Sequence, residues 1–294
     1  MTFRTARLSF AVAALLALAP LSQAQTANRD AGQLRFESGF SGPPPGTWPA
    51  DAPTVRFYFT AGASAPSCGL LVAAKKVVVP LLEPDEGADF PQCTAVPSAL
   101  VLQQGSERYY LLRLKQKDTR EDSSLTDTLL VDRGGMPVPL DDLSSTAAPT
   151  GKPLGQVAAW LRARWVNQAN TQQGARAVPE HTATTPGAYL AVAQLASGGC
   201  QFTLGSPERP TPGLTLTKPC SGVKATSAFQ QGASSWFVAL LDTTGQGAQA
   251  LVFEVDAKGA REVPELAASL GAKAAEGKIL PLRQALQKLV ATRR

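Results

Sequence analysis

The sequence predicts an α+β protein of two tandem duplicated modules, each a mainly antiparallel sheet with a C-terminal helix and one disulfide. Three observations carry this reading. The second half repeats landmarks of the first in order, apolar runs of strand length recur at hairpin spacing, and a helical apolar pattern closes each half. Cys93 and Cys220 open two blocks that run in step at an offset of 127 residues, through Gln103-Gln104-Gly105 and Gln230-Gln231-Gly232 to Tyr109-Tyr110 and Trp236-Phe237. Further on, Val131-Asp132-Arg133-Gly134-Gly135 is echoed by Val255-Asp256-Ala257-Lys258-Gly259, Val138-Pro139 by Val263-Pro264, and Gly151-Lys152-Pro153-Leu154 by Gly277-Lys278-Ile279-Leu280. Upstream, Cys68 corresponds to Cys200.

The expected organisation runs from a signal peptide (1–24) and a Pro/Gly-rich lead-in (25–53) to module one (54–170), a linker (171–187) and module two (188–294). Arg4 and Arg7, the apolar stretch Leu8 to Pro20 and the small-x-small site Ser22-Gln23-Ala24 match an exported leader cleaved near Ala24. The apolar run is short of the ~20 residues a membrane span needs. Cleavage removes two of 28 basic residues and leaves 26 against 23 acidic ones, a balance too even to argue for nucleic acid. In an oxidising compartment the four cysteines should pair. The duplication selects Cys68 with Cys93 and Cys200 with Cys220, each bridge worth roughly 3 kcal/mol in the chain-entropy picture.

In module one, Val55 to Phe59, Cys68 to Val72, Val77 to Leu81, Leu100 to Gln104, Tyr109 to Leu114 and Leu129 to Val131 read as strands, with Leu34 and Phe36 as an added edge strand. Lys115 to Asp127 is polar and reads as a mobile loop. Leu154, Val157, Ala158, Leu161 and Trp165 form one apolar stripe of an amphipathic helix, with Arg162 and Arg164 off it. Thr171 to Thr185, polar and without period, reads as the linker. Module two repeats the plan from Tyr189 to Val255, with a short helix over Val263 to Leu270. Its final helix carries its stripe on Leu282, Ala285, Leu286, Leu289 and Val290.

The chemistry-bearing residues are few. His181 is the one histidine and sits in polar sequence, which disfavours triads that need an imidazole. No Cys-x-x-Cys or Gly-x-Ser-x-Gly occurs, and the Gly271 to Lys278 stretch lacks P-loop spacing and its Ser or Thr. Glu83, Asp85, Glu86 and Asp89 read as a solvated acidic loop rather than a calcium site. No catalytic residue, metal or cofactor is therefore expected. Gln103, Gln104, Gln230 and Gln231 are candidate contacts on two equivalent edges, although hairpin closure explains them as well. One of each aromatic pair must face away from the sheet's inner core. That makes Tyr109 and Trp236 candidate contact residues, with Arg113 on a basic rim in module one, unless the terminal helices cover them.

These readings point to an exported periplasmic binding or adaptor protein with an envelope protein as partner. The alternatives are a periplasmic hydrolase using carboxylates such as Asp132 or Glu254, and a small-ligand site between the modules.

Overall fold

The computed structural model describes residues 27–38, 48–140, 151–243, 245 and 247–293. The expected signal segment and the run Ser41 to Gly46 lie outside the described residues. Sheet I has the strand order β1-β5-β4-β3-β2, formed by β1 (Arg29–Asp30), β2 (Arg35–Glu37), β3 (Thr54–Phe59), β4 (Ser67–Val72) and β5 (Val77–Leu82). Sheet II is a meander of β6 (Gln92–Gln104), β7 (Glu107–Lys117), β8 (Ser123–Asp132) and β9 (Pro137–Pro139). Helix α1 (Leu154–Gln172) follows. Sheet III pairs β10 (Arg176–Ala177) and β11 (Ala183–Thr185) with β12 (Ala188–Gln194), then β13 (Cys200–Gly205) and β14 (Leu214–Lys218). Sheet IV is the meander β15 (Gly222–Gln231), β16 (Ser234–Thr243), β17 (Gly247–Asp256) and β18 (Gly259–Glu262). Helices α2 (Pro264–Ser269), α3 (Gly271–Ala275) and α4 (Ile279–Ala291) close the chain. Every strand pairing is antiparallel, as expected for strands joined by hairpins rather than helical crossovers.

The layers stack in one series. Phe57, Leu70 and Val79 of sheet I pack on Tyr110, Leu112 and Leu114 of sheet II. The opposite face of sheet II, with Leu102, Tyr109, Leu111 and Leu129, packs on Leu154, Val157, Ala158 and Leu161 of α1. Ala159 and Ala163 carry α1 onto Tyr189 and Ala191 of sheet III. Sheet III packs on sheet IV through Leu190, Phe202, Phe237 and Phe253. Trp236, Val238, Leu240 and Val252 then cover α2 to α4 through Leu266, Leu282 and Leu286. The period-two alternation of β7 and β16 is thus apolar on both faces because both faces are covered. Their sequences read as continuous apolar runs for that reason.

The structure corrects three expectations. Lys115 to Asp127 is not a loop: β7 and β8 stay paired out to Lys117 opposite Ser123, leaving only a short turn. The polarity there reflects a two-stranded ribbon that extends past the packed core. Residues 171–187, read as a linker, complete α1 and carry β10 and β11, both hydrogen-bonded to β12. Helix α1 does not have a single apolar stripe, because it is packed between sheets II and III. The second contact uses Ala159 and Ala163, small residues that add little to an amphipathic pattern.

Cys68 bonds Cys93 and Cys200 bonds Cys220, closing separations of 25 and 20 residues. The first bridge ties sheet I to sheet II, and the second ties β13 to the connection between β14 and β15, so each holds neighbouring layers as well as restricting the unfolded chain. No helix among the described residues is long and apolar enough to cross a membrane. The two disulfides fit an extracellular or periplasmic protein.

Candidate functional site

The expected contact residues divide into those that build the fold and those that remain at its surface. Both paired motifs close hairpins. Gly105 has φ 58° and Gly232 φ 61°, the left-handed conformation that glycine adopts without a Cβ clash. Gln104 stands opposite Glu107 and Gln231 opposite Ser234 across these two-residue turns. Gln103 and Gln230 are exposed, and Gln230 Nε2 donates to the Gly232 carbonyl at 3.4 Å. Gln104 and Gln231 are half-buried. Tyr109 and Trp236 are buried, Tyr109 against Trp165 of α1 with ring centroids 4.8 Å apart and Trp236 under α2 to α4. Burial, helped by a hydrogen bond to Glu107, pushes the Tyr109 phenol up to about 12. Arg113 forms a two-pronged bond to Asp127 at 2.6 and 2.7 Å, with both side chains largely buried, so it is a locked ion pair rather than a free rim cation.

The carboxylates of interest hold turns. Asp132 accepts from Gly135 N–H at 2.6 Å and from the Tyr110 hydroxyl at 2.8 Å. Asp256 accepts from Lys258 and Gly259 N–H. Its burial alone would raise its pKa, but these N–H groups and Arg261 together hold it below the ordinary value. Glu254 accepts from Ser234 at 2.8 Å and pairs with Arg261. Glu83 is not part of a solvated loop: its side chain is nearly buried and accepts from Arg29 and from Tyr58 at 2.6 Å. No group of three or more His, Cys, Asp or Glu residues placed to hold a metal ion occurs among the described residues.

The sequence offered a site between the modules as an alternative, but not the residues that build the junction between the halves. Gly155, Ala159 and Ala163 recur every fourth residue, forming a small-residue stripe along one side of α1. The stripe allows close approach: a Cβ on Gly155 would lie 2.5 Å from the Pro186 carbonyl oxygen. Arg162, only 4% exposed, spans the same seam. Its Nε donates to Pro207 O at 3.0 Å, another donor binds the Gln103 carbonyl, and its guanidinium lies 5.4 Å from the Trp165 ring. Burial pulls its pKa down, and its Nη2 has no partner among the described residues. A sequence signal for this seam exists in the Gly-x3-Ala-x3-Ala spacing.

Two concave surfaces flank the seam. One is a recess of about 400 Å³ lined by Ser98 to Leu102, Arg113 and Pro153 to Gly155 from the first half, and by Pro186, Pro207 and Glu208 from the second. The other is an open groove of about 1120 Å³ between α1 and the β10–β11 segment, where Trp160 stacks with Arg164 at 5.5 Å beside Asn167, Gln168 and Thr182. Both have the mixed apolar and polar walls of a recognition surface. No known family model matches the chain, and no curated protein is significantly similar to it.

Proposed function

We propose that this chain is an exported periplasmic binding or adaptor protein of two duplicated modules, with the contact surface at their junction. The recess is the observation that carries the reading, because residues of both halves line it. Support for duplication comes from the matching orders β5-β4-β3 with β6-β7-β8-β9 and β14-β13-β12 with β15-β16-β17-β18. In both halves the disulfide joins corresponding strands or strand ends, and a helical segment follows the meander. The two halves differ at the junction, where the first supplies a strand edge and the second a rim of loops. Asp132 and Glu254, the carboxylates a hydrolase would have used, are engaged in hairpin turns and an ion pair.

The test is capture of the protein from its own cells after mild cross-linking. The reading expects one recurrent protein at near-equal amount, lost with Glu208→Lys at the rim of the recess and retained with Gln284→Glu on the remote outer face of α4. No species above background, or equal loss with both variants, overturns it.

A further inference from the structure

We propose that β6 takes up an extended peptide as an added strand, with an aliphatic side chain of the peptide entering the junction recess; this rests on the partner-binding reading and specifies the partner's chemistry. Backbone register makes the first argument. Gly105-Ser106 is a two-residue turn flanked by Gln104 and Glu107. Hydrogen-bonded and non-hydrogen-bonded pairs alternate along an antiparallel ladder, and the pair next to such a turn is hydrogen-bonded. Gln104, Leu102 and Leu100 therefore turn their backbone groups toward β7, while Gln103, Val101 and Ala99 turn theirs away from it. Arg162 bonding the Gln103 carbonyl agrees with this parity.

Among the described residues the edge is occupied near its two ends and unpaired between them. Cys93 N–H donates to Pro66 O at 2.9 Å, and Arg162 takes Gln103. The outward N–H and C=O groups of Ala99 and Val101 have no partner among the described residues. The bulges between Cys93 and Ser98, devices that commonly protect an edge, affect only the first part of the strand. The corresponding edge in the second half is closed. There the segment 179–185 lies along β15, and Thr226 Oγ1 donates to the His181 carbonyl at 2.9 Å.

The recess supplies specificity. Leu100, Leu102 and Leu154 give it an apolar floor, and Pro153, Pro186 and Pro207, which have no N–H, form much of its rim. Backbone donors for an incoming strand therefore come from β6. Arg113 is already neutralised by Asp127, whereas the carboxylate of exposed Glu208 has no partner among the described residues. The occupant is an extended peptide with alternating aliphatic residues, one opposite Leu100, flanked by a lysine or arginine that reaches Glu208. This is strand addition with a side-chain pocket for selectivity.

The test uses the folded, oxidised protein and the blocked peptide acetyl-Lys-Thr-Val-Thr-Val-Lys-amide. Hydrogen exchange followed by NMR should show Ala99 and Val101 amides exchanging fast and Leu100 and Leu102 slowly in the free protein. Millimolar peptide should slow Ala99 and Val101 by at least about tenfold, the effect of one or two added hydrogen bonds. Val101→Pro removes an outward N–H without touching the β6–β7 ladder and should weaken the peptide at least about tenfold. Glu208→Lys, which alters no packed residue, should weaken this peptide and favour its glutamate-flanked counterpart. Slow exchange at Ala99 and Val101 in the free protein, absence of any peptide effect, or binding indifferent to Glu208→Lys overturns the proposal. Loss of strand addition with cellular capture intact leaves the partner-binding reading standing. Peptide binding with no captured protein leaves strand addition standing and removes the dedicated partner.

Discussion

Gly155→Ala sets two effects of known size against each other. Gly155 lies in the first turn of α1, where alanine is favoured over glycine by at most about 1 kcal/mol. Against that, the new Cβ would lie 2.5 Å from the Pro186 carbonyl oxygen, roughly 0.9 Å short of the 3.4 Å at which ordinary contact begins. The obstructing atom is backbone, held by β11 and β12 on either side, so it cannot rotate away. Overpacking of this kind costs about 1–3 kcal/mol. The net expectation is a loss of up to about 2 kcal/mol, with loosened amides at Thr185 to Ala188. Equilibrium urea unfolding measures the loss and hydrogen exchange locates it. Gly271→Ala is the control, since nothing lies within 4 Å of its Cβ position and its φ is not left-handed; it should be neutral or stabilising. If Gly155→Ala matches the control, helix propensity governs the site and the close seam between the halves is wrong.

Arg162→Lys should lower stability by about 1–3 kcal/mol, because an ammonium cannot serve both the Pro207 and Gln103 carbonyls in the same fork; thermal unfolding measures it, with exchange at the Gly105 turn as the local readout. Trp236→Ala should cost about 3–5 kcal/mol as a buried core aromatic; if stability is unchanged while partner capture is lost, the residue is a contact after all. Removing the second disulfide with Cys200→Ala and Cys220→Ala should lower the unfolding free energy from denaturant titration by about 3 kcal/mol and loosen sheets III and IV before sheets I and II. Tyr109, Tyr110 and Tyr189 are each pushed up to about 12, by burial first, with hydrogen bonds to Glu107 and Asp132 adding to the first two. A tyrosine in the unfolded chain titrates near about 10. Their stabilisation is therefore full below that pH and falls as pH rises toward the folded values, because only the unfolded chain releases protons there. The urea midpoint should drop between about pH 10 and 12, and less steeply in Tyr110→Phe.

The strands and helices that the sequence revealed are those whose period matches their surroundings. Tyr109-Tyr110 and Trp236-Phe237 announced strands because both faces of sheets II and IV are apolar, and the final helix announced itself because only one face of α4 is covered. The cysteine pairing was legible because the collinear landmarks set Cys68 beside Cys200 and Cys93 beside Cys220, which selects one bridge within each half. What escaped was held by contacts distant in sequence. The ribbon from Lys115 to Leu125 is largely polar and gains its order from ladder bonds and the Arg113–Asp127 pair. Segment 171–187 has no period because its two short strands take their register from β12. Arg162 looks like a surface residue in a helix read as one-sided, and only the second packed face, marked by Gly155, Ala159 and Ala163, turns it inward. The recess depends on loops from both halves meeting, which no local pattern encodes.

The central claim is that the seam between the halves, at the β6 edge, is where another chain binds. A photoreactive side chain placed at Ser98 on the recess wall, with a matched placement at Gln284 on α4, tests it in living cells. The account predicts one discrete higher-mass species from Ser98 and none from Gln284. The same species from both positions, or none from Ser98, contradicts it.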